Sequence, residues 1–96
     1  MDPRVSEDKV PAYKKVEEKI REIDNTIIIA RTYYVYNRHR IAYRFQLIKK
    51  DKMCIVDIPR KLLDELKRNN KASEEELTSI LNLRVQDSEC WSDFQK

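Results

Sequence analysis

Apolar residues at Tyr13, Val16, Ile20 and Ile23 recur three, four and three positions apart, the spacing of one buried stripe on a helix. Pro11 suits the first turn, where a missing N–H costs nothing. Glu17 and Arg21 add an i,i+4 pair, and Asp24 and Asn25 end the helix. The period then changes. Residues 26–36, 40–48 and 53–58 are rich in Ile, Val, Tyr and Phe and predict three strands. Two-residue loops at Arg38-His39 and Lys50-Asp51 fix their registers. The first sets Asn37 opposite Arg40, Val35 opposite Ala42, Tyr33 opposite Arg44 and Arg31 opposite Gln46. The second sets Leu47 opposite Cys54, Phe45 opposite Val56 and Arg44 opposite Asp57. Alternation then gathers Ile28, Ala30, Thr32, Tyr34, Ile41, Tyr43, Phe45, Leu47, Cys54, Val56 and Ile58 on one face. Two separate loop assignments converge on that one apolar face.

Beyond the strands, Asp57-Ile58-Pro59 opens a helix whose inner side carries Leu62, Leu63 and Leu66. Asp57 has two structural readings, a cross-strand partner for Arg44 or a cap for this helix. Ser73-Glu74-Glu75-Glu76 has the form of a capping box, and Leu77, Ile80, Leu81 and Val85 supply the stripe of a last short helix. The expected fold is α+β: a small single domain of order α-β-β-β-α-α, with helices packed on one face of a three-stranded antiparallel meander. Residues 1–10 read as a flexible arm, 11–85 as the domain, and 86–96 as an acidic tail carrying Trp91 and Phe94. The order resembles that of the double-stranded-RNA-binding domain in topology alone. That domain opens its second helix with a lysine cluster, whereas this chain has Pro59-Arg60-Lys61 there and a further helix afterwards. No family is assigned.

Composition sharpens this picture in two ways. The 96 residues include no glycine, which excludes a P-loop, a dinucleotide fingerprint and a GXXG nucleic-acid clamp. Any bound anion must be held by side chains, and the tight turns must be made without glycine; Asn37 and Asp51 are the residues expected to take the special angles. Charged residues (37) also far outnumber Asn, Gln, Ser and Thr (16). Heat-adapted proteins show this excess, and AT-rich coding produces a similar bias. The longest apolar run, Ile27 through Ala30, is far short of the roughly 20 residues that span a bilayer. The opening residues lack the apolar core of a secretory signal, and two cysteines make no disulfide framework. The expectation is an intracellular, cytoplasmic protein with no membrane contact.

Charge is concentrated rather than spread. Residues 25–52 hold Arg31, Arg38, Arg40, Arg44, Lys49, Lys50 and Lys52 against Asp51 alone, with four of the five tyrosines. Guanidinium groups neutralise phosphates and aromatic rings offer bases a stacking surface. Arg31, Tyr33, Arg38, Arg40, Arg44, Lys49 and Lys50 are therefore the candidate nucleic-acid or anion site, against the plainer reading of a solvated face. At the other end of that face Ile27, Ile29, Ile48, Met53 and Ile55 fall together. Such a patch is covered by a second copy, by the chain's own termini or by another protein, and an isologous homodimer is the simplest cover. Trp91 and Phe94 either fold back on the domain or dock elsewhere.

Catalytic constellations are missing. His39 is the only histidine and sits in a turn; Cys54 reads as inert packing and Cys90 as exposed, with neither metal-ligand spacing nor an adjacent base. No cofactor or metal is expected. The expectation is a non-enzymatic binding or regulatory protein contacting nucleic acid or another anionic partner. The alternative is a protein-interaction factor, such as a regulator, inhibitor or assembly subunit of a phage or mobile element, acting through the apolar patch or the tail.

Overall fold

The structure, a computed structural model, describes residues 9–93. Element order is α1 (Tyr13–Ile23), β1 (Ile28–Asn37), β2 (Arg40–Lys49), β3 (Lys52–Pro59), α2 (Arg60–Leu66), α3 (Lys71–Val85) and a two-residue β4 (Ser92–Asp93). The strands form an antiparallel sheet of order β1-β2-β3-β4, and the helices pack on one face of it. This is the expected α+β order with one short strand added. All seven strand pairings set by the two loops occur.

Tyr13, Val16 and Ile20 of α1 are buried as their spacing requires, and the Tyr13 ring lies 6.2 Å from that of Phe45. Leu62, Leu63 and Leu66 of α2 and Leu77 and Leu81 of α3 complete a core built on Tyr43, Phe45, Leu47, Cys54, Val56 and Ile58. Lys15 ties α1 to the end of α2, donating to the Leu66 carbonyl at 2.7 Å and to Asn69 Oδ1 at 2.5 Å. The Leu66 carbonyl also accepts from the Asn69 amide at 3.0 Å, so the cation adds a second donor at the negative end of the helix.

Pro11 stands two residues ahead of α1, whose N-cap is Ala12 at a left-handed φ of 55°, and not in its first turn. Four further expectations need correction. The face of β1 changes at a bulge between Ile29 and Arg31, where Ala30 is the extra residue. Upstream of it the parity reverses, so Ile29 pairs with Leu47 toward the core and Ile28 pairs with Ile48 on the open face. Ile27 is buried, Ile29 packs against the core, and Ile28 is 58% exposed. Three consecutive isoleucines carry no alternation, so pattern alone could not choose which parity turns inward. The turn residues also differ from expectation. Left-handed φ values fall on Arg38 (49°), His39 (69°) and Lys50 (59°), with none at Asn37 or Asp51. In a two-residue loop the loop residues themselves reverse the chain, and two positive φ values are the mark of a type I′ turn.

The cap of α3 is the third correction. Asn70 accepts from the Ala72 and Ser73 amides, and the helix begins at Lys71 and runs fifteen residues. Ser73 is buried instead, its hydroxyl donating to the Glu65 carboxylate at 2.8 Å. The fourth concerns sulfur. Cys54 and Cys90 are joined in a disulfide, with Cα atoms 5.0 Å apart across 36 positions of sequence. Neither is the free thiol expected of it, because the chain after α3 turns back and delivers Cys90 to the inner side of β3.

Candidate nucleic-acid interface

The two strands of the first hairpin are ten residues each, roughly 33 Å long at about 3.3 Å per residue. At about 1.5 Å per residue, eleven-residue α1 covers roughly 16 Å. The hairpin therefore outruns its helical cover. From Tyr33 to Ala42 no described side chain is buried, and Tyr34 and Tyr36, which lie on the core parity, are 41% and 62% exposed. Tyr34 is steadied by an edge-on contact with Tyr43 at 5.8 Å. Arg38, His39 and Arg40 form the exposed tip just beyond these rings. Pro59 pairs with Ala42, so the start of α2, with exposed Arg60 and Lys61, lies at the same end of the sheet.

The candidate anion site divides into two groups. Arg38 and Arg40 stand together at the tip, with no acidic partner among the described residues. Lys49 and Lys50 flank the opposite turn, nine residues along β2 and so roughly 30 Å away. There the charge is largely answered. Lys49 meets Asp24 at 2.6 Å and Lys52 meets Asp93 at 3.0 Å, while Lys50 and Asp51 are neighbours. The Lys49 ammonium, with the Thr26 hydroxyl and amide, holds the Asp24 carboxyl well below the usual range. The Asp93 carboxylate raises Lys52 above an ordinary lysine.

Between the two ends, Arg44 is committed to Asp57. Its Nε and Nη2 donate to the two carboxylate oxygens at 2.8 and 3.0 Å, a side-by-side pairing that raises the Arg44 pKa. That settles the earlier alternative for Asp57, since Pro59 precedes α2 with no side-chain cap. Arg31 donates to the Tyr33 hydroxyl at 3.4 Å. Sequence reasoning thus named Arg38 and Arg40 and missed Tyr34, Tyr36 and Lys61. The signal for the tyrosines was in the chain: strands of ten residues are too long for the helices beside them.

The expected apolar patch also changes membership. Ile28, Ile48 and Met53 form a cross-strand row on the open face with Ile55 nearby, whereas Ile27 and Ile29 belong to the core. Trp91 is partly buried against the core, its Nε1 donating to the Val85 carbonyl at 2.8 Å. Phe94 lies outside the described residues. Among the described residues, no cluster of His, Cys, Asp and Glu is suited to a metal ion, and no helix is long and apolar enough to cross a membrane.

Fold and site together define a small α+β domain that presents a basic, tyrosine-bearing hairpin. No family model matches the chain, and no curated protein or solved structure is significantly similar to it.

Proposed function

We propose that this is a non-enzymatic binding protein that contacts the phosphate backbone of a nucleic acid through its hairpin tip. Arg38 and Arg40 supply the charge, and Tyr34 and Tyr36 supply rings for unpaired bases. One observation carries the reading. Arg38 and Arg40 are exposed at the tip, meet no acidic side chain among the described residues, and stand close to the exposed Tyr34 and Tyr36. Cations that the fold leaves unanswered are available to phosphate.

The test is a titration of a labelled single-stranded oligonucleotide across a salt series. Affinity falls steeply with salt, and Arg38→Ala with Arg40→Ala flattens the dependence by about 0.9 in log–log slope per lost phosphate contact. Absence of binding at low salt would falsify the reading.

A second reading, a protein-interaction factor that pairs with its own copy, rests on the exposed Ile28 at the end of the Ile28, Ile48 and Met53 row. Light scattering distinguishes it: a dimer whose mass is insensitive to salt and halved by Ile28→Asp supports this alternative.

We also infer an intracellular setting in a heat-adapted cell. Intracellular disulfides are ordinary in such organisms, and the excess of charged over uncharged polar residues points the same way.

A further inference from the structure

The chain after α3 lies along β3 as a strap. Lys52 pairs with Asp93 and Met53 with Ser92, the Trp91 indole bonds the Val85 carbonyl, and the Cys54–Cys90 disulfide anchors the segment to the sheet. Where the strap leaves the edge, Arg84 replaces it, donating from Nε and Nη2 to the Ile55 carbonyl at 3.3 and 2.9 Å. Without the covalent link, the strap keeps two residue pairs, one surface ion pair and the half-buried Trp91, a small set of contacts given that even an isolated two-stranded hairpin is marginal in water.

The two sulfurs are unequal. Cys54 is 1% exposed in the core, whereas Cys90 is half-buried and lines a cleft of about 350 Å³ with Arg84, Asp87, Glu89 and Ser92 on its walls. An incoming thiolate therefore reaches Cys90 and not Cys54, past a wall on which Asp87 and Glu89 outnumber Arg84, so an uncharged dithiol suits the cleft better than an anionic thiol.

We propose that Cys54 and Cys90 form a redox-controlled latch, opened by a small dithiol reductant that enters at Cys90. The reductant's thiolate attacks Cys90 Sγ, forming a mixed disulfide and releasing Cys54 as the leaving thiolate. The second thiol of the reductant then attacks its own bridging sulfur, which frees Cys90 and closes the reductant into a cyclic disulfide. Two electrons and two protons pass to the protein, and both cysteines end as thiols. Opening lets residues 86–93 leave β3. The edge at Lys52 and Met53 then presents unpaired backbone groups, and Trp91 moves into water. This proposal stands independently of the nucleic-acid reading, because the latch lies at the end of the sheet away from Arg38 and Arg40.

Trp91 is the only tryptophan, so its emission reports the strap directly. The native chain is alkylated with and without dithiothreitol, and its emission and amide hydrogen exchange are followed in both states. The expected result has three parts. No thiol is labelled before reduction and two are labelled after it. Trp91 emission shifts to the red. Residues 86–93 lose exchange protection while α1, β2 and the leucines of α2 and α3 keep theirs. Cys90→Ser, which leaves the buried Cys54 in place, should reproduce the reduced state without reductant. Free thiols in the untreated protein overturn the proposal. So does reduction that leaves emission and exchange unchanged, or reduction that unfolds the whole domain. A Cys90→Ser variant that retains the oxidised signature also overturns it.

Discussion

The two ends of the sheet are both basic in sequence and opposite in physical state. At the tail end Lys49 and Lys52 meet Asp24 and Asp93, a disulfide fixes the neighbouring strand, and Trp91 covers apolar surface. At the tip Arg38 and Arg40 have no acidic partner among the described residues, and the rings beside them are exposed. The run of seven basic residues over 25–52 hides this division. Charge that is already paired steadies the fold, and only unanswered charge is available to a ligand. The lesson is to count carboxylates brought near by the fold before counting lysines.

The sharpest way to break this comparison is to cut the disulfide. Closing a loop of 36 positions stabilises a chain by about 3–4 kcal/mol in the chain-entropy model. Urea denaturation of the reduced protein should show a loss of that order against the oxidised one. Oligonucleotide affinity, carried by the far end, should stay unchanged. A loss of binding on reduction would mean that the two ends are coupled and the division is wrong.

The next largest effect compares paired with unpaired cations. Replacing Arg38 and Arg40 by alanine removes two phosphate contacts, each worth roughly a tenfold factor near 0.1 M salt from the counterion slope. Anisotropy titration should therefore show a loss of tens of fold with the thermal midpoint nearly unmoved. Replacing Lys49 and Lys52 by alanine should do the reverse, lowering stability slightly and leaving affinity intact. Arg44→Ala belongs with the second pair, because its guanidinium is held by Asp57 and an exposed ion pair contributes only about 0.2–1 kcal/mol.

Much of the fold was legible because alternation and turn length constrain one another. Leu47 faces Cys54 and Phe45 faces Val56 in the register that two-residue loops require. The failures came where local rules have no purchase. Ile27, Ile28 and Ile29 are chemically alike, so only the bulge at Ala30 decides which of them is buried. Asn70 and Ser73 both cap well in isolation, and the choice fell to Asn70 because Ser73 is drawn inward to Glu65. Arg38 and Arg40 were recognisable as candidate ligand groups from charge alone. Their separation from Lys49 and Lys50 needed the strand direction, and the partners of Lys49 and Lys52 come from α1 and the tail, far away in sequence. The disulfide was invisible for the same reason: nothing local to Cys90 says that the chain returns to β3.

Glycine substitutions sharpen the contrast on a smaller scale. Arg38→Gly and Lys50→Gly each relieve a left-handed residue, and each should raise stability by about 1 kcal/mol, part of the gain being offset by the larger entropy of the unfolded glycine. Denaturant midpoints check the common gain. Only Arg38→Gly should weaken oligonucleotide binding, since Lys50 sits at the end where charge is answered. Equal loss of affinity in both variants would return Lys50 to the binding surface.

The smallest effect lies on the acid side of the tail end. Asp24 has its carboxyl lowered in the folded state from an ordinary 3.8, first by the Lys49 ammonium and then by Thr26. A depressed carboxyl stabilises the fold fully above its unfolded value, and the contribution fades as the pH drops below that value toward the folded one. The unfolded chain binds the proton more readily there, so acid favours unfolding. Asp24→Asn keeps the shape and removes the titration, though it also forfeits the ion pair at neutral pH. Thermal midpoints of the two proteins should therefore differ modestly at pH 7 and converge as the pH falls below about 4, the ordinary range for aspartate. If the difference between Asp24→Asn and the native chain persists undiminished into acid, the Lys49 to Asp24 pair is not what steadies the tail end.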